Sequence, residues 1–304
     1  MIELIPLVYA SNMKNKYCCL LLLLWIPFIT FSQEDLLSLL GEEEEITDYA
    51  TASFKTNRVI NLHSLENTAK GVLDIKISHR FGFINGGVSE LFGLDQATIR
   101  IGGDYGITNQ LTAGIGRSSF EKTYDGFLKF KFLRQSTGKK NMPISAALLA
   151  TSAVKTIPFR DPDRENYFSS RLYYSYQLII GRKFSDGFSF QISPTVVHRN
   201  LVRTSAESND VYALASATRI KLTKRVAVNA EYIYVPSGQL ADGYRNSLSL
   251  GFDIETGGHV FQLHFTNSTS MIEKGYITET TGDWLNGDIH FGFNVSRVFT
   301  VRKK

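Results

Sequence analysis

The stretch Leu73-Asp-Ile-Lys-Ile-Ser-His-Arg-Phe81 places Leu73, Ile75, Ile77 and Phe81 on one face of an extended chain and Asp74, Lys76, Ser78 and Arg80 on the other. Side chains of a strand point alternately to its two faces, so the pattern predicts a strand with one apolar and one hydrated side. The same period runs on from here almost to the C-terminus. Further candidate strands lie near residues 96–105, 110–117, 124–133, 143–153, 169–183, 187–198, 211–222, 225–235, 246–255, 259–267 and 287–299. With the first, these make an even set, as an antiparallel barrel with both termini on one side requires.

The connections between candidates alternate in length. Tyr105–Gln110, Ser185–Gly187, Thr223–Lys224 and Thr256–Gly258 are tight turns containing Gly, Asp or Asn in most cases. The others fall at 82–95, 118–123, 154–168, 199–210, 236–245 and 268–286, and 134–142 is the one long member on the short side. A β-sandwich also alternates apolar and polar residues, but nothing in it requires this rotation of short and long. The rotation predicts an all-β fold, a closed antiparallel transmembrane β-barrel of about 12 strands. Long loops such as 268–286 then face outward from the cell, and the charged row faces the lumen. Three stretches, GITNQLTAGI, KFSDGFSFQI and KLTKRVAVNA, repeat a hairpin geometry and not a domain.

Upstream, Lys14 and Lys16 precede an apolar run from Cys18 to Phe28, and Thr30-Phe31-Ser32 offers small residues where a signal peptidase reads them. Residues 1–32 are therefore read as upstream residues plus a signal peptide cleaved near Ser32, before Gln33. An anchoring helix would need about 20 apolar residues. Residues 33–70, with Leu36, Leu37, Leu39 and Leu40 followed by Glu42 to Glu45, are expected to be a periplasmic segment, partly disordered or one short helix. Residues 71–304 form the barrel.

Both cysteines fall in the leader, so the exported chain has neither a disulfide framework nor a thiolate site. Without residues 1–32 it keeps 31 basic and 28 acidic residues, a balance too mild to suggest nucleic acid. Beyond the leader no apolar run reaches the length of a spanning helix, so membrane entry must be by strands. Tyr173, Tyr174, Tyr176, Tyr232 and Tyr234 suit an interfacial girdle, with aromatic core packing as the alternative.

Chemistry is sparse. Gly102-Gly103-Asp104-Tyr105-Gly106 and Gly114-Ile115-Gly116 evoke phosphate loops, but no helix follows either, and glycines in strands commonly permit bends. The six histidines show no metal-ligand spacing. Ser268 and Ser270 near His264 are the one trio worth testing for nucleophilic catalysis. No catalytic, cofactor-binding or metal residues are assigned. The polar row is the better candidate: Lys76, Arg80, Arg100, Asp104, Lys129, Lys131, Arg171, Arg219, Lys221, Glu231, Asp253 and Glu255 are expected to line the lumen, with Asp74 and Asp125 beside them. Their charges either pair across a narrow lumen and stabilise the wall, or select small polar solutes along a water-filled path.

Four stretches carry a resemblance to a known family: Phe92–Arg100 (FGLDQATIR), YDGFLKFKFLRQSTG from Tyr124, DIETGGHVFQLHFTNS from Asp253, and ITETTGDW from Ile277 to Trp284. Over residues 33–299 the chain resembles a Bacteroidota outer-membrane β-barrel family described as domain of unknown function 5777. The resemblance implies the fold and the outer membrane, and no particular chemistry. The leading expectation is a narrow channel or transport-related barrel for small polar solutes, without a cofactor and not an enzyme. The alternatives are a non-conducting structural or interaction barrel that binds a periplasmic or membrane protein through its loops or N-terminal segment, and, remotely, a lipid-modifying enzyme. Expected partners are outer-membrane lipid and, through the aromatic end of the last strand at Phe299, the barrel-assembly machinery.

Overall fold

Alternation of apolar and polar residues along the chain becomes a wall with one apolar and one polar side. The computed structural model describes residues 46–302 apart from Arg160 and Ala206, so the expected leader and the Leu36–Leu40 cluster lie outside the described residues. In chain order the strands are β1 (Thr47–Tyr49), β2 (Val72–Phe83), β3 (Ala97–Gly106), β4 (Leu111–Ser118), β5 (Thr123–Leu133), β6 (Ser136–Gly138), β7 (Ser145–Lys155), β8 (Leu172–Lys183), β9 (Phe188–Arg199), β10 (Asp210–Lys221), β11 (Val226–Tyr234), β12 (Ser247–Thr256), β13 (His259–Thr266) and β14 (His290–Thr300). All but β1 and β6 join a closed antiparallel barrel of 12 strands, in which each pairs with its neighbour in sequence and β14 closes on β2. Closure leaves no unpaired edge to face lipid.

The outer face carries Ile77, Ile101, Leu128, Phe252, Phe261, Leu263 and Phe265, all exposed. The inner face carries Asp74, Lys76, Arg80, Arg100, Lys129, Gln191, Glu231 and Asn294, all buried. No helix among the described residues is long and apolar enough to cross a membrane. Residues 107–110, 184–187, 222–225 and 257–258 turn tightly at one rim, and 84–96, 156–171, 200–209, 235–246 and 267–289 connect at the other. Residues 119–122 are compact for the long side; Glu121 and Lys122 there adopt positive φ angles of 54° and 47°. The long connection on the short side, 134–144, holds β6, which pairs with β1 in a separate two-stranded sheet.

Two expectations are corrected. Residues 33–70 were expected outside the barrel, partly disordered or as one short helix, but in the described part residues 53–65 form a hairpin that is almost entirely buried in the lumen. The hairpin turns where the Val59 amide donates to the Leu62 carbonyl at 2.8 Å, with Arg58 bridging to His63. Its apolar side chains, Phe54, Val59, Ile60, Leu62 and Leu65, are too few and too irregularly spaced to fold alone, and the inner wall covers them. The loop 268–286 was expected to extend outward. Instead it carries a helix α1 (Glu273–Thr278) with every residue buried. Tyr276 and Ile277 of α1 pack with Phe54, Val59 and Leu62 against Val197, Val211, Ala213 and Ile233 of the wall. The hairpin and the loop thus enter from opposite rims and meet inside.

Candidate functional site: a lumen closed from both ends

The centre of the lumen is organised around the hairpin tip. Glu231, on the inner face of β11, accepts hydrogen bonds from the backbone amides of Ile60 at 2.7 Å, Asn61 at 2.9 Å and Leu62 at 2.8 Å. Three amides converge because a tight turn points successive N–H groups to one side, which makes an anion-binding concavity from backbone alone. The Asn61 side chain donates to Ser249 Oγ at 2.9 Å and accepts from Arg80, and the Asn61 carbonyl accepts from Arg58 at 2.8 Å. On the neighbouring strands Gln262 donates to the Val59 carbonyl at 2.6 Å and Asn294 to the Ile60 carbonyl at 3.2 Å.

The two arms of the hairpin are held in the same manner. Gln191 donates to the His63 carbonyl at 2.8 Å and accepts from the Leu65 amide at 3.1 Å. Lys129 donates to the carbonyls of Asn57, Ser64 and Glu66. Thr112 accepts from the Thr68 amide at 3.2 Å, and Asn109 from the Lys70 amide at 3.1 Å where the arm leaves at the short-turn rim. Buried backbone groups without partners are costly, and here the wall's side chains satisfy those of an irregular segment.

Of the residues expected to line the lumen, Lys76, Arg80, Arg100, Asp104, Lys129, Arg219, Glu231 and Asp253 are buried on the inner wall. Arg100 forms a two-pronged pair with Asp125, its Nε 2.9 Å from one carboxylate oxygen. Lys76 sits 3.9 Å from both Asp74 and Asp104. Arg219 lies 3.7 Å from Asp253 and 3.3 Å from Glu255, which also receives Lys55 of the hairpin at 2.6 Å. Lys131, half-buried near the short-turn rim, is 3.9 Å from Glu66. Arg171 stands at the long-loop rim, and Lys221 differs from the expectation: at the short-turn end of β10, paired with Ala227, it is exposed. His264, Ser268 and Ser270 do not assemble either; both His264 ring nitrogens are buried without a partner, and Ser268 Oγ donates to the Ser270 carbonyl.

Sequence reasoning missed the hairpin, the part that Gln191, Gln262 and Asn294 of the polar face play in holding it, and the inward loop. The loop reaches the hairpin through Glu273, which pairs with Arg58 at 3.0 Å and accepts from Tyr276 Oη at 3.1 Å. The next residue, Lys274, contacts Glu279 at 2.5 Å and Glu121 at 3.0 Å, and Lys155 also reaches Glu121. Burial works against the charge on Lys274, but Glu279 and Glu121 outweigh it and hold its pKa above the ordinary lysine value. Burial likewise works against the Glu121 carboxylate, and Lys274 and Lys155 outweigh it and lower its pKa. An open recess of about 530 Å³ remains at the short-turn mouth and one of about 770 Å³ at the long-loop mouth. Hairpin and α1 lie buried between them.

Among solved structures the barrel is similar to the NanC porin, with 7% identity and a TM-score of 0.47 over 75% of this chain and 98% of that one. It is also similar to the outer membrane protein Omp33 of Acinetobacter baumannii, with 10% identity and a TM-score of 0.39 over 75% of this chain and 97% of that one. The CymD monoaromatic hydrocarbon channel matches with 11% identity and a TM-score of 0.34 over 78% of this chain and 90% of that one. No curated protein matches the chain. The family described as a membrane bound beta barrel domain (DUF5777) matches residues 54–299, a span that starts within the hairpin and includes the whole charged wall and the inward loop, and the chain belongs to that family.

Proposed function

We propose that this outer-membrane barrel is a transport-related protein for small polar solutes, closed at rest by its own N-terminal hairpin and by the loop 267–289. The observation that carries the reading is how the hairpin is held: Glu231, Gln262, Asn294, Gln191 and Lys129 all bind its backbone. Water can replace every one of those bonds, so a withdrawn hairpin leaves a wet, charged passage through the lumen. In this reading the long loops face the exterior, and the hairpin enters from the periplasm at the short-turn rim. His264 makes no hydrogen bond to Ser268 or Ser270, so it does not orient either hydroxyl as a nucleophile.

Planar-bilayer recording tests the reading. The protein should give rare, brief openings, and a variant lacking residues 52–66 should conduct steadily. Because both native cysteines precede residue 20, a disulfide between Asn61→Cys and Ser249→Cys would be unambiguous. It should abolish the openings until it is reduced. A folded deletion variant that carries no current and admits no solute into liposomes would overturn the proposal. The two-stranded β1–β6 sheet favours a second reading, a non-conducting barrel that receives a periplasmic partner by strand addition. That reading predicts no current from either variant and loss of a co-purifying protein when Thr47–Tyr49 is removed.

A further inference from the structure

We infer that the recess at the long-loop mouth is a binding site for a small, ring-bearing organic acid. Six cations border it, Lys155, Arg164, Arg171, Arg199, Arg203 and Lys274, against the carboxylates Asp161, Glu207 and Glu279. Glu207 is already engaged by Arg199 at 3.1 Å and Glu279 by Lys274 at 2.5 Å, while Glu121, not itself in the lining, is shared by Lys155 and Lys274. Among the described residues, Arg171 and Arg203 have no carboxylate within ion-pair distance. The recess therefore keeps an excess of positive charge after its internal pairs are formed.

The cations are also placed for recognition. Arg171 is anchored by donating to the carbonyls of Lys155 and Ile157, and its guanidinium lies 3.8 Å from the centre of the Phe159 ring. Carbonyl anchoring holds the fork in place without neutralising it. Arg199 is 2% exposed and its Nε has no partner, although one Nη pairs with Glu207 and the other donates to the Ser208 carbonyl at 2.6 Å. That buried donor can be satisfied by an acceptor brought in by a ligand. Phe159 and Tyr173 supply flat apolar surface beside the charges, and about 770 Å³ is the size of a small-molecule site. Tyr173 and Arg199 belong to the inner wall and Lys274 to the loop inside the lumen, so a ligand arrives along the aqueous axis and not from the lipid-facing side.

This site stands apart from the gating proposal, since a barrel that never opens would still bind at its mouth. The test is calorimetric titration of the full, detergent-solubilised protein with glucuronate and with glucose as the uncharged match. Glucuronate should bind at least about tenfold more tightly than glucose and weaken with added salt, and inorganic phosphate should compete. Arg171→Gln and Arg203→Gln should each weaken glucuronate, the first by about tenfold, with unchanged glucose binding and unchanged heat-modifiable gel mobility as evidence of an intact barrel. Indistinguishable titrations of the two sugars would overturn the inference, as would a folded double variant that binds glucuronate like the parent. Binding to lipopolysaccharide vesicles with none to glucuronate would also overturn it, by assigning the cations to a lipid headgroup.

Discussion

The wall meets the hairpin in two ways: through Arg80, Lys129, Gln191, Glu231, Gln262 and Asn294, which are spread around the barrel, and through Val197, Val211, Ala213, Ala215 and Ile233, which are gathered on β9–β11. The polar set binds the backbone and the Asn61 side chain through directed bonds; the apolar set covers Phe54, Val59 and Leu62 without direction. Directed bonds fix the register, because each requires a given N–H or C=O in place. Apolar contact supplies cohesion but tolerates sliding. Water substitutes readily for the first kind and poorly for the second, so the polar contacts set where the hairpin stops and the apolar patch opposes its departure.

The largest effect is expected from Glu231→Ala. It removes the acceptor of three buried amides and leaves Arg80 nearby without its carboxylate, a loss of about 3 kcal/mol or more in docking of the tip. Hydrogen exchange at residues 60–62 should accelerate by roughly 100-fold or more, since 1.4 kcal/mol is about tenfold. Steady conductance should appear with it. Equal exchange in parent and variant would show that the polar contacts do not hold the tip.

At the apolar patch Leu62→Ala should cost about 2–3 kcal/mol, because a 1% exposed leucine leaves a cavity between β9–β11 and α1. Loss there should weaken docking without shifting register, so the exchange pattern along residues 54–65 should accelerate evenly. A change confined to residues 60–62 would contradict the division of labour between the two kinds of contact.

That division explains what could be read in the sequence. The strands were legible because lipid outside and polar groups inside impose a strict period of two: 187–198 was expected and Phe188–Arg199 is found, 259–267 was expected and His259–Thr266 is found. The same period puts Asp74, Lys76, Ser78 and Arg80 together on the face that is buried. The hairpin was not, because Phe54, Val59, Ile60, Leu62 and Leu65 follow no single period; they are spaced to fit a wall formed by distant strands. α1 was hidden likewise, since Glu273, Lys274 and Thr278 read as solvated loop residues until Arg58, Glu121 and Glu279 are brought to them. A usable signal was the excess of inward-facing amides, Gln191, Gln262 and Asn294, which a wall pairing only with itself would not need.

The inward loop extends the contrast to pH. Glu121 has a lowered pKa, so its contribution is fully present above the ordinary carboxylate value of about 4.3 and is lost as pH falls through the lowered value. Lys274 has a raised pKa, so its contribution is fully present below about 10.4 and is lost as pH rises through the raised value. The anchor should hold across about pH 5–10. Exchange at Glu273–Thr278, corrected for its intrinsic pH dependence, should rise several-fold below that window. Lys274→Met should flatten the dependence, and a parent profile already flat to pH 3 would exclude the anchor.

The smallest effect is expected from Lys55→Ala at the short-turn mouth. Lys55 reaches Glu255 at 2.6 Å, but its side chain is 36% exposed, and Arg219 still holds Glu255 at 3.3 Å once Lys55 is gone. An exposed pair of this kind contributes about 0–1 kcal/mol, and no buried charge is orphaned by its loss. Exchange along residues 54–65 should change less than about threefold in the variant and less still in high salt, where the pair is screened. A change as large as that from Leu62→Ala would mean that the hairpin is held at its mouth, and the two kinds of contact inside the lumen would then matter less than the rim through which it enters.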